Sequence, residues 1–462
     1  MARIFENSKM PVLGHNPLRL RGDGTRSSAQ KPARSYHLPL LPSLSPPPAY
    51  PLPMRRICLT LLLFLFLQRV ASAENWPQFR GPRGDGTSAE KSAPVRWSAS
   101  ENVAWKTPIM GGGHSSPIVW ENAVFVTVAN ANGDRVLHRI DADSGKPVWQ
   151  AAVARTERES MHRENSSASS TPATDGANII TSFQVGDRVD LRCYDFDGKL
   201  RWKVQPLKFE GQHGYSYSPI FYRDLVILDC RQEGEAATIA LDKGTGKIRW
   251  RAAPKMRRIS HITPLLINDG QREQLIVSGS DETASYDPGT GRQLWWCEGP
   301  SDVSVAGMCF GDGLLFVTSG YPNRSRMAIR TGGSGNVTDT HVAWKSIRQV
   351  TYVPSPVYHD GYTYSIIDEG MMVCFDAKTG ETKWDQRLGG RFRASLLLAN
   401  GLIYAMNDKG LTTILRATPD SFQQVATNNL NEFCYATPAL SNGRLYLRTE
   451  ENLYCIRSAS NL

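Results

Sequence analysis

The sequence predicts an all-β fold, an eight-bladed β-propeller of four-stranded antiparallel blades, and three recurring patterns predict it. A short element of small residues and proline returns eight times, at steps of 40 to 55 residues. A run rich in β-branched and aromatic residues follows each copy, and an Asp-turn-Gly-Trp signature closes most repeats. Self-similarity at this period is the mark of a ring or solenoid of supersecondary units.

The first element, the innermost strand, is seen as SSPIV (Ser115–Val119), SSTPA (Ser169–Ala173), YSPIF (Tyr217–Phe221), ITPLL (Ile262–Leu266), PSPVY (Pro354–Tyr358) and ATPAL (Ala436–Leu440), with weaker copies at Ala306–Phe310 and Arg393–Leu397. The second strands fall at 123–129, 178–183, 225–230, 273–279, 313–319, 361–367, 401–407 and 443–449, bounded by Gly, Asn and Asp as strands are. A third strand leads into a tight turn and a Trp in DADSGKPVW (Asp141–Trp149), DFDGKLRW (Asp195–Trp202), DKGTGKIRW (Asp242–Trp250), DPGTGRQLW (Asp287–Trp295) and DAKTGETKW (Asp376–Trp384). The Asp is suited to accept turn N–H groups and the Gly to supply φ > 0, while the Trp, on the outermost strand, is placed to wedge against the next blade. Blade five keeps only Gly335 and Trp344 of this signature, and blade seven has lost the Trp. The last repeat lacks a fourth strand, and Glu101–Thr107, with Trp105, is an orphan outer strand; pairing the two would close the ring and remove open edges.

These turns make the chain resemble the pyrroloquinoline-quinone (PQQ) type propeller repeat, with its Asp-x-x-Thr-Gly-Lys-x-x-Trp pattern, over about residues 75–457. The WPQFRGPRGDG opening (Trp76–Gly86) and the HRENSSASSTP loop look like the exported PQQ-like propellers of planctomycete-type bacteria.

The formal charge of +9 sits mostly in a leader. Residues 1–73 hold ten Lys/Arg against Glu6 and Asp23, a net of +8, so residues 74–462 carry 43 minus 42, or +1, which gives no electrostatic basis for nucleic-acid binding. Residues 54–73 read as a secretory signal peptide, with Arg55-Arg56, an apolar run from Ile57 to Leu67 and a cut after Ala71-Ser72-Ala73. That run is too short for a membrane span, which needs about 20 residues, and no Cys follows the cut, so no stable membrane anchor is expected. Residues 1–53 form a Pro-rich leader, disordered or upstream of a true start at Met54. An extended segment, 74–100, precedes the propeller at 101–462, and an exported (periplasmic or secreted) monomer is expected. Of seven mature cysteines, Cys193, Cys374 and Cys455 recur at one repeat position, which reads as small apolar core rather than a disulfide framework.

The loops entering the inner strands surround the mouth of the axial channel, and they carry His114, Ser115, His162, Arg163, Asn165, His213, Arg258, His261, Arg348, Arg391 and Arg393. Such a ring of imidazoles and guanidiniums would attract a carboxylate, phosphate or sulfated sugar. Blade-separated His114, His162 and His213 have no metal-ligand spacing, and no catalytic residue stands out.

The resemblance to PQQ repeats leaves three functions open. The first is a binding or scaffolding module for a protein, a peptide or an anionic glycan, a role that resemblance to the propeller lipoprotein of the outer-membrane barrel assembly machinery also implies. The second is a PQQ- and calcium-dependent dehydrogenase, which resembles this chain in blade count and in Trp76-Pro77-Gln78-Phe79; the adjacent Cys pair of such enzymes is missing here. The third is an extracellular sensor module. No cofactor is expected under the first.

Overall fold

Position within the repeat decides which strands are buried on both faces. In the third blade, strand Leu225–Cys230 is buried throughout and Ala237–Asp242 at all but its last residue, because both are sandwiched between neighbouring blades. The outer strand Ile248–Ala252 fully buries only Trp250. The computed structural model describes residues 74–157, 159–255 and 259–458. The expected leader 1–53 and the expected signal peptide 54–73, Arg158, Arg257 and the candidate Arg258 lie outside them.

Eight antiparallel four-stranded blades span 118–155, 173–208, 220–252, 265–298, 309–346, 357–387, 397–429 and 439–457, the last taking Val103–Pro108 as its fourth strand. That strand pairs antiparallel with Asn452–Arg457, Trp105 opposite Cys455 and Thr107 opposite Leu453. Among the described residues no helix is long and apolar enough to cross a membrane. All seven cysteines here are free and buried.

The turn signature proves to be an interblade staple. Gly145, Gly198, Gly246, Gly291 and Gly380 have φ between +70° and +83°, and a Cβ on any of them would lie 2.5–2.9 Å from an indole ring. The ring belongs to the preceding blade: Trp105 under Gly145, Trp149 under Gly198, Trp202 under Gly246, Trp250 under Gly291 and Trp344 under Gly380. Each of these indoles also donates to a backbone carbonyl of that turn or beside it, as Trp202 does to Lys243 at 2.8 Å and Trp344 to Ala377 at 2.9 Å. Inside the turn the Asp carboxylate accepts N–H groups as expected, Asp242 from Gly244 and Thr245 among them. Trp295 faces the diverged fifth blade, and its indole turns to Gln274 in its own blade at 2.7 Å.

Two expectations are corrected. Gly335 is not the turn glycine of blade five: Gly335–Asn336 pairs in parallel with the outer strand of blade four, beside Trp295 and Trp296, and a short helix, Thr338–His341, then leads into the outer strand Val342–Ser346. The longer connection carries its glycine out to a neighbouring edge. The innermost strands also begin later than the Pro-containing elements, at Ile118 and Ile220 for example, because the residues up to the Pro bond sideways to the next blade.

Candidate functional site

Each loop that enters an inner strand ends beside the propeller axis, so side chains far apart in sequence converge there. A cavity of about 510 Å³ at this mouth is lined by His114, His162, Arg163, Asn165, His213, His261, Arg391 and Arg393, eight of the eleven expected residues. Ser115 lies behind the wall, fully buried, its hydroxyl accepting from Arg448 at 2.7 Å. Arg348 is exposed and outside the cavity, its carbonyl accepting from Arg326 at 3.0 Å.

Residues 159–169 form a strap over the mouth. Its root is the buried ion pair between Glu159 and Arg135. Along its length the His162 N–H and the Asn165 side chain both donate to the carbonyl of His213 in the third blade, at 3.3 and 2.7 Å, and Ala168 accepts from the His114 and Ser115 N–H groups. At its tip Glu164 reaches the seventh blade and pairs with Arg391 and with Arg393, the latter at 3.0 Å. Arg393 also meets Asp368 at 3.2 Å, and Arg324 meets Glu369 at 3.5 Å. Burial alone would raise the Glu164 pKa, but Arg393 and Arg391 outweigh it and hold the carboxyl below its ordinary range. Most rim cations therefore face carboxylates, and of the three expected arginines that line the cavity Arg163 alone makes no ion pair among the described residues.

The imidazoles form a row. Ring centroids of His162 and His213 are 6.1 Å apart, those of His213 and His261 6.4 Å, and His261 stacks on Tyr217 at 5.7 Å while its Nδ1 bonds the Ser216 hydroxyl at 2.8 Å. Burial, then the neighbouring His213, pushes His261 down to about 4; burial, then Arg448, does the same to His114, which meets Tyr435 edge-on. Both are neutral rings at neutral pH.

Below the mouth the axis narrows to a chamber of about 130 Å³ walled by hydroxyls. The residue before each inner-strand Pro, or its equivalent, is Ser116, Thr171, Ser218, Thr263, Gly307, Ser355, Ser395 or Thr437, and most join in a belt of interblade bonds. The N–H of Ser116 donates to Thr171 (2.9 Å), Thr171 to Ser218 (3.0 Å), Gly307 to Ser355 (2.7 Å), Ser355 to Ser395 (3.1 Å), Ser395 to Thr437 (3.0 Å) and Thr437 back to Ser116 (3.0 Å). The far end is crossed by residues 74–90. Trp76, 1% exposed, exchanges backbone bonds with Val119, Phe79 lines the chamber, and Thr87–Ser88 pairs in parallel with Leu397–Ala399. The Arg80 guanidinium is buried, donating to the carbonyls of Met308 (2.7 Å), Asp85 (2.6 Å) and Pro356.

Glu164, Asp368, Tyr435 and the hydroxyl belt were not foreseen. A seven-in-eight Ser/Thr at one repeat position was the available signal for the belt. A calcium-bound quinone does not fit this mouth: both Glu164 oxygens accept from guanidinium groups, where a hard dication needs them free. Among the described residues no three His, Cys, Asp or Glu side chains are grouped so as to hold a metal.

The family model described as outer membrane protein assembly factor BamB matches the chain in four overlapping stretches, 94–205, 133–297, 234–349 and 334–421. Among solved structures, the chain is similar to BamB from Moraxella catarrhalis, with a TM-score of 0.54 and 15% identity over 76% of this chain and 98% of that one. It is similar to the computationally designed Ika8 protein, at 0.52 and 11% over 75% and 98%. A quinohemoprotein alcohol dehydrogenase from Pseudomonas putida HK5 aligns at 0.46 and 12% over 83% and 80%. No curated protein sequence matches.

Proposed function

This chain belongs to the family of the outer membrane protein assembly factor BamB, and on that premise we propose that it is an exported binding or scaffolding propeller that engages a partner through its His/Arg-rich mouth. The observation that carries the reading is the strap: it projects Arg163 and His162, both exposed, over a cavity large enough for several side chains, and Arg163 has no ion-pair partner among the described residues. A guanidinium so placed favours a carboxylate-bearing polypeptide segment. Export rests on residues 54–73, whose paired arginines, apolar run and Ala-Ser-Ala ending match a cleaved leader.

Arrays of acidic and neutral peptides, with sulfated glycans alongside, test the reading when probed with the purified protein. The expected result is capture on acidic peptides that the double variant His162→Ala, Arg163→Ala weakens about tenfold, with its melting temperature unchanged. Equal capture by variant and parent overturns the assignment of the mouth, and capture on glycans alone replaces the polypeptide with a sugar.

A further inference from the structure

We propose that the axial chamber beneath the mouth is a binding site for a small oxyanion of carboxylate or phosphate size. This deepens the reading of the mouth as the recognition face, but it depends on the hydroxyl belt rather than on His162 and Arg163, neither of which lines the chamber, so each can fail alone.

The chamber offers donors and no competing acceptor charge. Ser116, Thr171, Ser218, Ser355, Ser395 and Thr437 are each no more than 4% exposed, and each oxygen already accepts a backbone N–H from a neighbouring blade. Ser395 donates its own proton to Ser355 at 2.9 Å. The hydroxyl protons of the other five have no acceptor among the described residues. A Ser or Thr hydroxyl has one donor, and a buried donor left unpaired is costly, so five such protons around one axis are left to water or to a bound acceptor. No Asp or Glu lines the chamber.

The local field has the matching sign. Arg80 and Arg448 are both buried to within 1% and neither makes an ion pair among the described residues; the bonds they make go to carbonyl and hydroxyl oxygens, and Arg80 Nε and Arg448 Nε and Nη2 make none there. Arg80 bonds the carbonyls of Met308 and Pro356, which directly follow belt residues Gly307 and Ser355, and Arg448 bonds Ser115, next to Ser116. The belt thus lies between two buried positive charges that no carboxylate ion-pairs, Asp85 being the one acidic side chain that acts on Arg80, an arrangement that a bound anion relieves. Of the rim cations, Arg393 also lines the chamber, but Glu164 and Asp368 face it, and Arg163 lies outside the chamber lining. A volume of about 130 Å³ suits a phosphate or an acetate with its waters, while a hexose chain or a large cofactor exceeds it.

The test uses the full chain and inorganic phosphate or acetate as probe, with sodium chloride at matched ionic strength as the reference. The melting temperature is expected to rise with the logarithm of probe concentration, as for any ligand of the folded state alone. Val353 lines both the mouth and the chamber, so Val353→Phe narrows the passage without removing a belt bond. It is expected to abolish the response while keeping the melting temperature measured in chloride. Should that variant fail to fold, Thr171→Val removes one donor, together with the acceptor of the Ser116 N–H, and is expected to weaken phosphate about tenfold relative to its own melting temperature in chloride. His162→Ala, Arg163→Ala should leave the phosphate response unchanged even where it weakens peptide capture. A parent protein that responds to phosphate no more than to chloride overturns the proposal, and so does an undiminished response in the folded Val353→Phe or Thr171→Val variant.

Discussion

Acidification should destabilise this propeller well above the range in which carboxylates titrate, and three imidazoles set the size of the effect. His114, His138 and His261 are each pushed down to about 4, by burial first and then by Arg448 for the first two and His213 for the third. A histidine whose folded pKa is depressed stabilises the fold while it is neutral. As pH falls below about 6.5, the unfolded chain takes up a proton that the folded chain refuses, and stability declines until the folded ring also titrates. Integrating that linkage from pH 8 to pH 5 gives a loss of about 2 kcal/mol per imidazole, or about 6 kcal/mol for the three together. Asp229, Asp368 and Glu90, raised by burial, act in the opposite direction, so the decisive measurement is a difference between proteins. Urea unfolding followed by tryptophan fluorescence at pH 8, 6.5, 5.5 and 5 should show the midpoint falling with pH, and His261→Gln should remove about a third of the fall. A midpoint that is flat over this window, or an equal fall in the variant, would falsify the claim that these rings are held neutral by the fold.

The other predictions concern the staple and the strap. Gly246 has φ +70° and its missing Cβ would sit 2.8 Å from the Trp202 ring, so Gly246→Ala should cost about 2–3 kcal/mol from the left-handed backbone and the displaced indole bond. Gly244→Ala, two residues away and with only ordinary contact to Asp242, should cost much less, and equal urea midpoints for the two variants would show that the ring contact is not the cause. Glu164→Gln keeps the shape of the strap tip while removing its charge; amide exchange in 160–168 should accelerate about five- to tenfold with the melting temperature unchanged, because the lost pairs are partly exposed. Unaltered exchange would mean that the bonds to His213 and His114 hold the strap by themselves.

What could be read from the sequence divides along the range of the interactions involved. The Asp, Gly and Trp of each turn lie within nine residues of one another, so the pattern gave the blades, their number and most strand limits; 123–129, 225–230 and 273–279 are found as expected. Gly335 misled because a single matching residue in a diverged repeat carries no register, and the added connection before Trp344 moved it to another blade. The rim was legible because the approach to every inner strand ends at the axis, whatever the loop contains. Its electrostatics were not. Glu164 stands between two named residues, Arg163 and Asn165, yet its partner Arg391 is 227 residues away, and nothing local announces that a carboxylate will quench the cations opposite.

The hydroxyl belt shows a different limit, one that belongs to ring-shaped repeats. Within any one blade, a Ser or Thr before the Pro is a minor structural residue that caps a neighbour's N–H. Only rotation about the axis turns seven such residues inward on one another, so a position that looks like scaffold in each repeat becomes a candidate site in the assembled ring. The exception supports this view. Blade five has Gly307 in place of the hydroxyl, and a Cβ there would lie 2.8 Å from Nη1 of Arg80 and 3.1 Å from the Ser355 hydroxyl. The repeat is broken where the N-terminal segment inserts its guanidinium, so that segment and the belt form one structure: the missing side chain of one blade makes room for the buried charge of Arg80.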